Sequence, residues 1–227
     1  MRIDSVHQGD WNGVKGVYHL NAVDEVTQWE ALGCVPRITE EHVLPVVEAM
    51  LHQFPFPIWE LHCDNGSEFV NHPLFRMLEK LGVELTRSRP NRSSDNALVE
   101  GKNGAIIRKY MTYGHIPSQH ADAIQRFYTA HLNPYLNYHR PCGYAQIRTN
   151  AKGRRQRHYA AADYATPYET LRSLPNSHRY LKDGMRWASM DQLAYAISDT
   201  EAAGRMMHAK GELLRRCKTE SPEAPKC

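Results

Sequence analysis

The chain has 227 residues, of which 41% are hydrophobic and 23% charged, and its formal net charge is +3. This composition suits one soluble globular core with a small appended region, and it excludes a membrane-spanning protein because no run of about 18 apolar residues occurs. The N-terminus lacks the layout of a signal peptide and five scattered cysteines form no metal-binding pair, so we expect a cytoplasmic protein without a disulfide framework.

The first third of the chain alternates apolar and polar residues in a β-prone composition. This pattern indicates a meander of antiparallel strands. The predicted strands cover residues 3–6, 17–23 and 29–35, with residues 9–16 as the connection between the first two.

The middle of the chain alternates predicted helices with short strands. After Thr39, a residue type that favours helix starts, apolar residues from Val43 to Phe54 recur at helical spacing, and Pro55 ends this helix. The elements that follow are a strand at 58–63, a helix at 73–81, a strand at 83–86, a helix from Ser94 or Asp95 towards Met111, and a helix at 121–138. This order predicts an α/β fold with a mixed five-stranded sheet flanked by helices.

Basic residues concentrate after the middle of the chain. Residues 101–160 contain ten Lys or Arg and one acid, which gives this stretch +9 against −6 for the remainder. Such a block suggests a polyanionic partner, nucleic acid first, although a solvated helix face with a loop explains it equally well. Residues 141–165 are predicted as a basic linker, 166–217 as a small, mostly helical C-terminal region with a strand or hairpin at 180–187, and 218–227 as a disordered tail.

Three acids lie at the strand ends and helix starts where an α/β sheet usually has its functional site. Asp4 lies on the first predicted strand, Asp64 directly after the fourth, and Glu100 on the helix after the fifth. Strand ends and helix starts on one side of such a sheet converge. Three carboxylates brought together repel unless divalent cations lie between them, and Mg²⁺ accepts oxygen ligands while leaving room for water and phosphate. Two such ions, about 3.5–4 Å apart, can assist phosphoryl transfer.

Each of these acids also has an ordinary explanation. Asp64 could shape the turn that follows it, Asp4 could be a surface residue near a chain end, and Glu100 could be an exposed helix acid. Asp10 and Asp24 are rival first carboxylates, but they fall in a predicted hairpin and a predicted turn. The order and spacing, together with a basic loop before Glu100, favour the catalytic interpretation.

The segments that carry these acids resemble the motifs of a known family. Residues Ile3 to Val6, His62 to Phe69 and Asp95 to Glu100 are similar, in this order, to those of DDE transposases and retroviral-type integrases with the RNase H-like fold. The 35 residues between Asp64 and Glu100 are typical of that family. Residues 137–141 are similar to a segment found after the core in insertion-sequence transposases. The resemblance covers residues 1–140, which we interpret as an RNase H-like integrase catalytic core.

This resemblance implies a polynucleotidyl transferase with nuclease activity, encoded by a mobile element. Asp4, Asp64 and Glu100 would bind two Mg²⁺ ions, with Mn²⁺ able to substitute. A metal-activated water would cut one strand at the element end, and the exposed 3′-hydroxyl would attack target DNA during integration and recombination. The partner is double-stranded DNA, both element ends and target, so the protein would be nucleoid-associated when bound. The joining of two ends implies a homo-oligomer.

Basic and polar residues near these motifs are predicted to contact DNA phosphates, because such contacts supply affinity that is independent of sequence. They are Arg87, Arg89, Arg92, Lys102, Asn103, Arg154, Arg155 and Arg157. Only three residues precede Asp4, so its strand is expected to fray and the activity of the enzyme to be impaired by N-terminal truncation. The alternatives are a truncated, non-catalytic remnant that binds DNA or its parent transposase, and an RNase H-like nuclease that only hydrolyses.

Overall fold

The computed structural model of the protein describes residues 1–64, 72–88, 97–150 and 153–219. Its strands are β1 (Arg2–His7), β2 (Asp10–Trp11), β3 (Val14–Lys15), β4 (Tyr18–Val23), β5 (Glu30–Val35), β6 (Glu60–Cys63), β7 (Glu84–Arg87), β8 (Cys142–Gly143), β9 (Gln146–Thr149), β10 (Arg155–His158) and β11 (Tyr164–Ala165). Its α-helices are α1 (Glu40–His52), α2 (His72–Lys80), α3 (Ala97–Lys102), α4 (Lys109–Met111), α5 (Ala121–Phe127), α6 (Asn133–Tyr138), α7 (Pro167–Ser173), α8 (Trp187–Tyr195) and α9 (Asp199–Thr219). Two π-helical segments, Asn103–Arg108 and Tyr128–Leu132, join α3 to α4 and α5 to α6.

The main sheet has five strands in the order β5-β4-β1-β6-β7. The pairs β5–β4 and β4–β1 are antiparallel, whereas β1–β6 and β6–β7 are parallel. This arrangement confirms the predicted α/β fold class with a mixed five-stranded sheet flanked by helices. The predicted connection between the first two strands is also present, as the hairpin β2–β3.

The first strand is central and hydrogen-bonded on both sides. All six residues of β1 pair with β4. On the other side, the Met1 carbonyl accepts a hydrogen bond of 2.8 Å from the His62 backbone N–H. The Met1 ammonium group lies 3.1 Å from the Glu60 carbonyl. The fraying expected from the sequence therefore has to overcome two sets of backbone contacts, because a central strand is held by both neighbours.

The edge strand β5 is covered by side-chain amides from the helices beside it. The Asn137 amide exchanges two hydrogen bonds of 2.8 Å with the backbone of Glu30. Asn133, one helical turn earlier, makes the equivalent pair with Leu32 at 3.1 Å. Gln125 Oε1 accepts a hydrogen bond of 2.7 Å from the backbone N–H of Cys34, the next outward-facing N–H on β5. These amides satisfy the edge that would otherwise remain open to another strand.

Apolar residues form a core on each face of the sheet. One core joins β1, β4, β5 and β6 to α1, α2, α7 and α8, and the other joins β5 to α9 and to the chain from the π-helical segment after α3 through α6. Gly33 on β5 permits close packing of α1, because a Cβ there would lie 2.5 Å from the Met50 sulfur and from a Val46 methyl carbon. No helix in the described ranges is long and apolar enough to cross a membrane.

The region after the sheet differs from the sequence-based expectation in three places. Residues 141–165, predicted as a linker, form the β9–β10 hairpin and the β8–β11 pair. Residues 180–187, predicted as a strand or hairpin, contain no strand; the Lys182 side chain instead donates to the Leu51 carbonyl at the end of α1, at 2.9 Å. Helix α9 includes the first two residues of the predicted tail, and residues 220–227 lie outside the described ranges. The division into domains stays a prediction.

Candidate metal and DNA site

The register between the two central parallel strands places two of the predicted carboxylates side by side. Arg2 on β1 pairs with His62 on β6. Two residues further along each strand come Asp4 and Asp64, so both side chains begin on the same face of the sheet. Neighbouring strands lie about 4.8 Å apart, which sets the starting separation of the two residues.

Asp4 is half-buried and makes two hydrogen bonds. Its Oδ1 accepts from the Ser5 backbone N–H at 2.8 Å, and its Oδ2 accepts from Asn103 Nδ2 at 2.7 Å. Burial raises the pKa of Asp4 most, and the negative charges of Asp64 and Glu100 raise this pKa further, against the two hydrogen bonds, which lower it. Asp4 therefore feels the charge of both other predicted ligands, although all three lie on different elements.

Glu100 reaches this face of the sheet on α3. Val99 is fully buried and anchors the helix, whereas the Glu100 side chain is exposed. Three residues along, Asn103 is buried at 8% exposure and ties the helix to β1 through Asp4. The exposed carboxylate therefore lies on a helix whose position is fixed by packing beneath it.

The donor set fits a hard divalent cation. Within the described part of the chain, no three His, Cys, Asp or Glu side chains converge closely enough to form a ready-made metal cage. Mg²⁺ does not require such a cage, because it commonly binds one or two carboxylates and completes its shell with water and substrate phosphates. A bound cation would offset the negative charges of Asp64 and Glu100, which together with burial raise the pKa of Asp4.

Asn21 is a site residue that the sequence analysis missed. It lies directly opposite Asp4 in the β1–β4 register and is fully buried. Its Nδ2 donates to Asn103 Oδ1 at 3.0 Å, which leaves Asn103 Nδ2 to donate to Asp4. The available signal was the predicted pairing of the first two strands, which places a polar residue opposite Asp4 on the same face.

Two of the predicted DNA contacts have partners inside the protein. Lys102 is 7% exposed, and its Nζ lies 3.2 Å from Glu30 Oε2 and 3.2 Å from Cys142 Sγ. Burial lowers the pKa of Lys102, but the charge of Glu30 and the contacts with Cys142 more than reverse this and leave it raised. Asn103 is occupied by Asp4 and Asn21. The role of these two residues as DNA contacts stays a prediction, which their buried partners disfavour.

The remaining predicted contacts divide into two groups. Arg87, at the end of β7, is exposed, as are Arg154, Arg155 and Arg157 in and beside the β9–β10 hairpin. Arg89 and Arg92 lie outside the described residues, as does the rest of the loop at 89–96.

No profile of a known protein family matches the chain. A stretch of 121 residues, 52% of the chain, is 37% identical to the uncharacterized protein y4rM of Sinorhizobium fredii (strain NBRC 101917 / NGR234). The match covers 33% of that protein, so the chain spans about a third of the length of this curated relative.

Among solved structures, the chain is similar to two that contain integrases. One is the simian T-cell lymphotropic virus intasome in complex with PP2A regulatory subunit B56 gamma, with 16% identity, a TM-score of 0.47, and coverage of 64% of this chain and 50% of that chain. The other is the catalytic core domain of BIV integrase, with 18% identity, a TM-score of 0.45, and coverage of 74% and 90%. The likeness concerns the arrangement of the sheet and its helices.

Proposed function

We propose that this chain is the catalytic core of a metal-dependent DNA transposase or integrase that cleaves DNA 3′ ends and transfers them to target DNA. The observation that carries the proposal is the geometry around Asp4: Asp64 directly follows the neighbouring parallel strand, and Asn103, three residues after Glu100, ties α3 to the Asp4 carboxylate at 2.7 Å. Burial and the charges of Asp64 and Glu100 raise the pKa of Asp4, which makes these acids candidates for a functional site. Asp4, Asp64 and Glu100 are the proposed ligands of Mg²⁺.

The chain's own residues would fix the reacting groups in place. Two bound Mg²⁺ ions would activate the attacking oxygen and stabilise the leaving one. Ser5 and Asn103 hold both oxygens of the Asp4 carboxylate, so this ligand is oriented before any substrate arrives. The exposed position of Glu100 leaves its carboxylate open to DNA approaching from solvent. Arg87 would hold the DNA backbone through its phosphates, together with Arg154, Arg155 and Arg157.

The test is DNA nicking and joining by the purified chain. Wild-type protein is incubated with supercoiled plasmid and a labelled short duplex in Mg²⁺ or Mn²⁺, and nicked and joined products are measured. Asp64→Asn should reduce the rate by more than about a hundredfold, since even the outer partners of metal ligands change activity by about 10–100-fold. Glu48→Gln removes an exposed acid on α1, away from the site, and should retain the wild-type rate.

Two results would contradict the proposal. Nicking by Asp64→Asn at the wild-type rate would show that the assigned carboxylates are not the site. DNA binding by the wild-type chain with no nicking in either metal would favour the non-catalytic remnant instead.

A further inference from the structure

A groove of about 390 Å³ runs beside the helix that carries Glu100. One wall is the side of α3 that presents Leu98 and Gly101, and it continues to Ala105. The opposite wall is made by residues after α6, among them Arg140, and by Arg157 of the β9–β10 hairpin. The groove therefore runs along the Ala97–Gly101–Ala105 side of α3 and ends at the hairpin, and Glu100 is not among its described lining residues.

The groove is basic. Arg140, Arg157 and Lys102 are among its lining residues, and none of the described lining residues is acidic. The Lys102 charge is balanced by Glu30 beneath it, so the two arginines carry the net positive charge. A polyanion would find no repelling group along this surface.

The helix wall is low along Gly101. Ala97, Gly101 and Ala105 line the groove with small side chains, and nothing lies within 4 Å of the place where a Cβ on Gly101 would stand. A bulky backbone can therefore come close to this side of the helix. Small residues alone do not make a site, but here they face the arginines across the groove.

The register of the hairpin divides its arginines between two faces. Arg155 pairs with Thr149 and Arg157 with Ile147, so these residues share one face. Arg148 pairs with Gln156 on the other face. Because Arg157 lines the groove, the face it shares with Arg155 is the one turned towards α3.

We propose that this groove binds the phosphate backbone of a DNA strand, held between α3 and the Arg155/Arg157 face of the β9–β10 hairpin. The proposal rests on the proposed function, because the proposed DNA chemistry of this chain is what makes DNA the expected polyanion. Of the arginines in this hairpin, those on the groove face contact phosphates and Arg148 does not.

The test uses two charge reversals on one hairpin. Binding of a fluorescein-labelled DNA duplex to the full chain is measured by anisotropy over a salt series, without divalent metal. Arg157→Glu should raise Kd about tenfold at low salt and reduce the salt slope by about 0.9, the value for one lost phosphate contact. Arg148→Glu makes the same change in net charge on the opposite face and should leave the slope unchanged.

The outcomes separate this inference from the proposed function. Equal losses of DNA affinity in Arg157→Glu and Arg148→Glu, or no loss in either variant, would contradict DNA binding in the groove. Tighter binding of a duplex RNA of the same sequence, with the same dependence on Arg157, would overturn DNA as its ligand. If Arg157→Glu weakens binding as expected while the wild-type chain never nicks DNA, the groove stands and the catalytic proposal fails.

Discussion

Asn103 donates from Nδ2 to Asp4 Oδ2 at 2.7 Å, across 99 residues of sequence, and its own carbonyl oxygen accepts from Asn21. This chain of amides fixes which end of Asn103 faces the carboxylate. It also lowers the pKa of Asp4, against burial and two neighbouring charges that raise it. Asn103 is thus a positioning residue for a proposed metal ligand.

Asn103→Leu should therefore slow Mg²⁺-dependent nicking about 10–100-fold, the range found for outer partners of metal ligands. The loss of a hydrogen bond to the charged form raises the pKa of Asp4, so the acidic limb of the pH–rate profile should move to higher pH. The measurement is the nicking rate across a pH series at saturating DNA. A slower variant whose pH profile is unmoved would mean that Asn103 acts only through folding.

Mg²⁺ should stabilise the folded chain through the three carboxylates. A ligand that binds only the native state adds about 2.7 kcal/mol at a hundred times its Kd. We expect the thermal unfolding midpoint of the wild-type protein to rise with Mg²⁺, and that of Glu100→Gln to rise much less. Glu48→Gln, which alters an acid on α1, is the matched control and should respond as wild type. An equal rise in Glu100→Gln would place the metal elsewhere.

The sheet was predictable because its strands follow local rules. Alternation and β-branched residues marked β1, β4 and β5, and the apolar stripe after Thr39 marked α1. The β9–β10 hairpin was not predicted because all residues of its two strands are exposed, so the sequence shows no alternation of apolar and polar residues there. Its stability depends on backbone pairing, which leaves little trace in residue types.

The sequence predicted the places of the three carboxylates but not the side chains that contact them. Asp4 lies on β1, Asp64 directly follows β6 and Glu100 lies on α3, because motif and strand order determine those places. The roles of Asn103 and Lys102 depend on partners about 99 and 72 residues away, Asp4 and Glu30. From sequence alone, Lys102 near the exposed Glu100 is interpreted as another surface residue, because lysines are rarely buried. Only the packed structure shows that it is buried.

The Lys102–Glu30 pair allows a direct test of whether Lys102 supports the fold rather than DNA binding. Both side chains are buried, at 7% and 1% exposure, so removing one partner leaves an uncompensated charge in the core. Lys102→Met should destabilise the fold by about 3–5 kcal/mol, and the double variant Lys102→Met/Glu30→Gln should recover most of this loss. Urea unfolding measures both. A Lys102→Met variant of unchanged stability with weakened DNA binding would restore Lys102 as a DNA contact.

The buried His19 should make the stability of the fold depend on pH. Burial, with a smaller contribution from the charge of Arg108, lowers the pKa of His19 from 6.5 to about 3, and the ring lies between Gln8 Oε1 and the Tyr128 hydroxyl. Below about pH 6.5, His19 is protonated in the unfolded chain but stays neutral in the folded chain until about pH 3. The stability contributed by His19 is therefore full above pH 6.5 and declines by about 1.4 kcal/mol per pH unit down to about pH 3.

Urea unfolding between pH 7 and pH 4 should show a shallower decline of stability in His19→Gln than in wild type. The control is His52→Gln, which changes an exposed histidine at the end of α1, keeps His19 in place and should follow wild type. Parallel curves for wild type and His19→Gln would show that His19 takes up its proton in the folded state as readily as in the unfolded one.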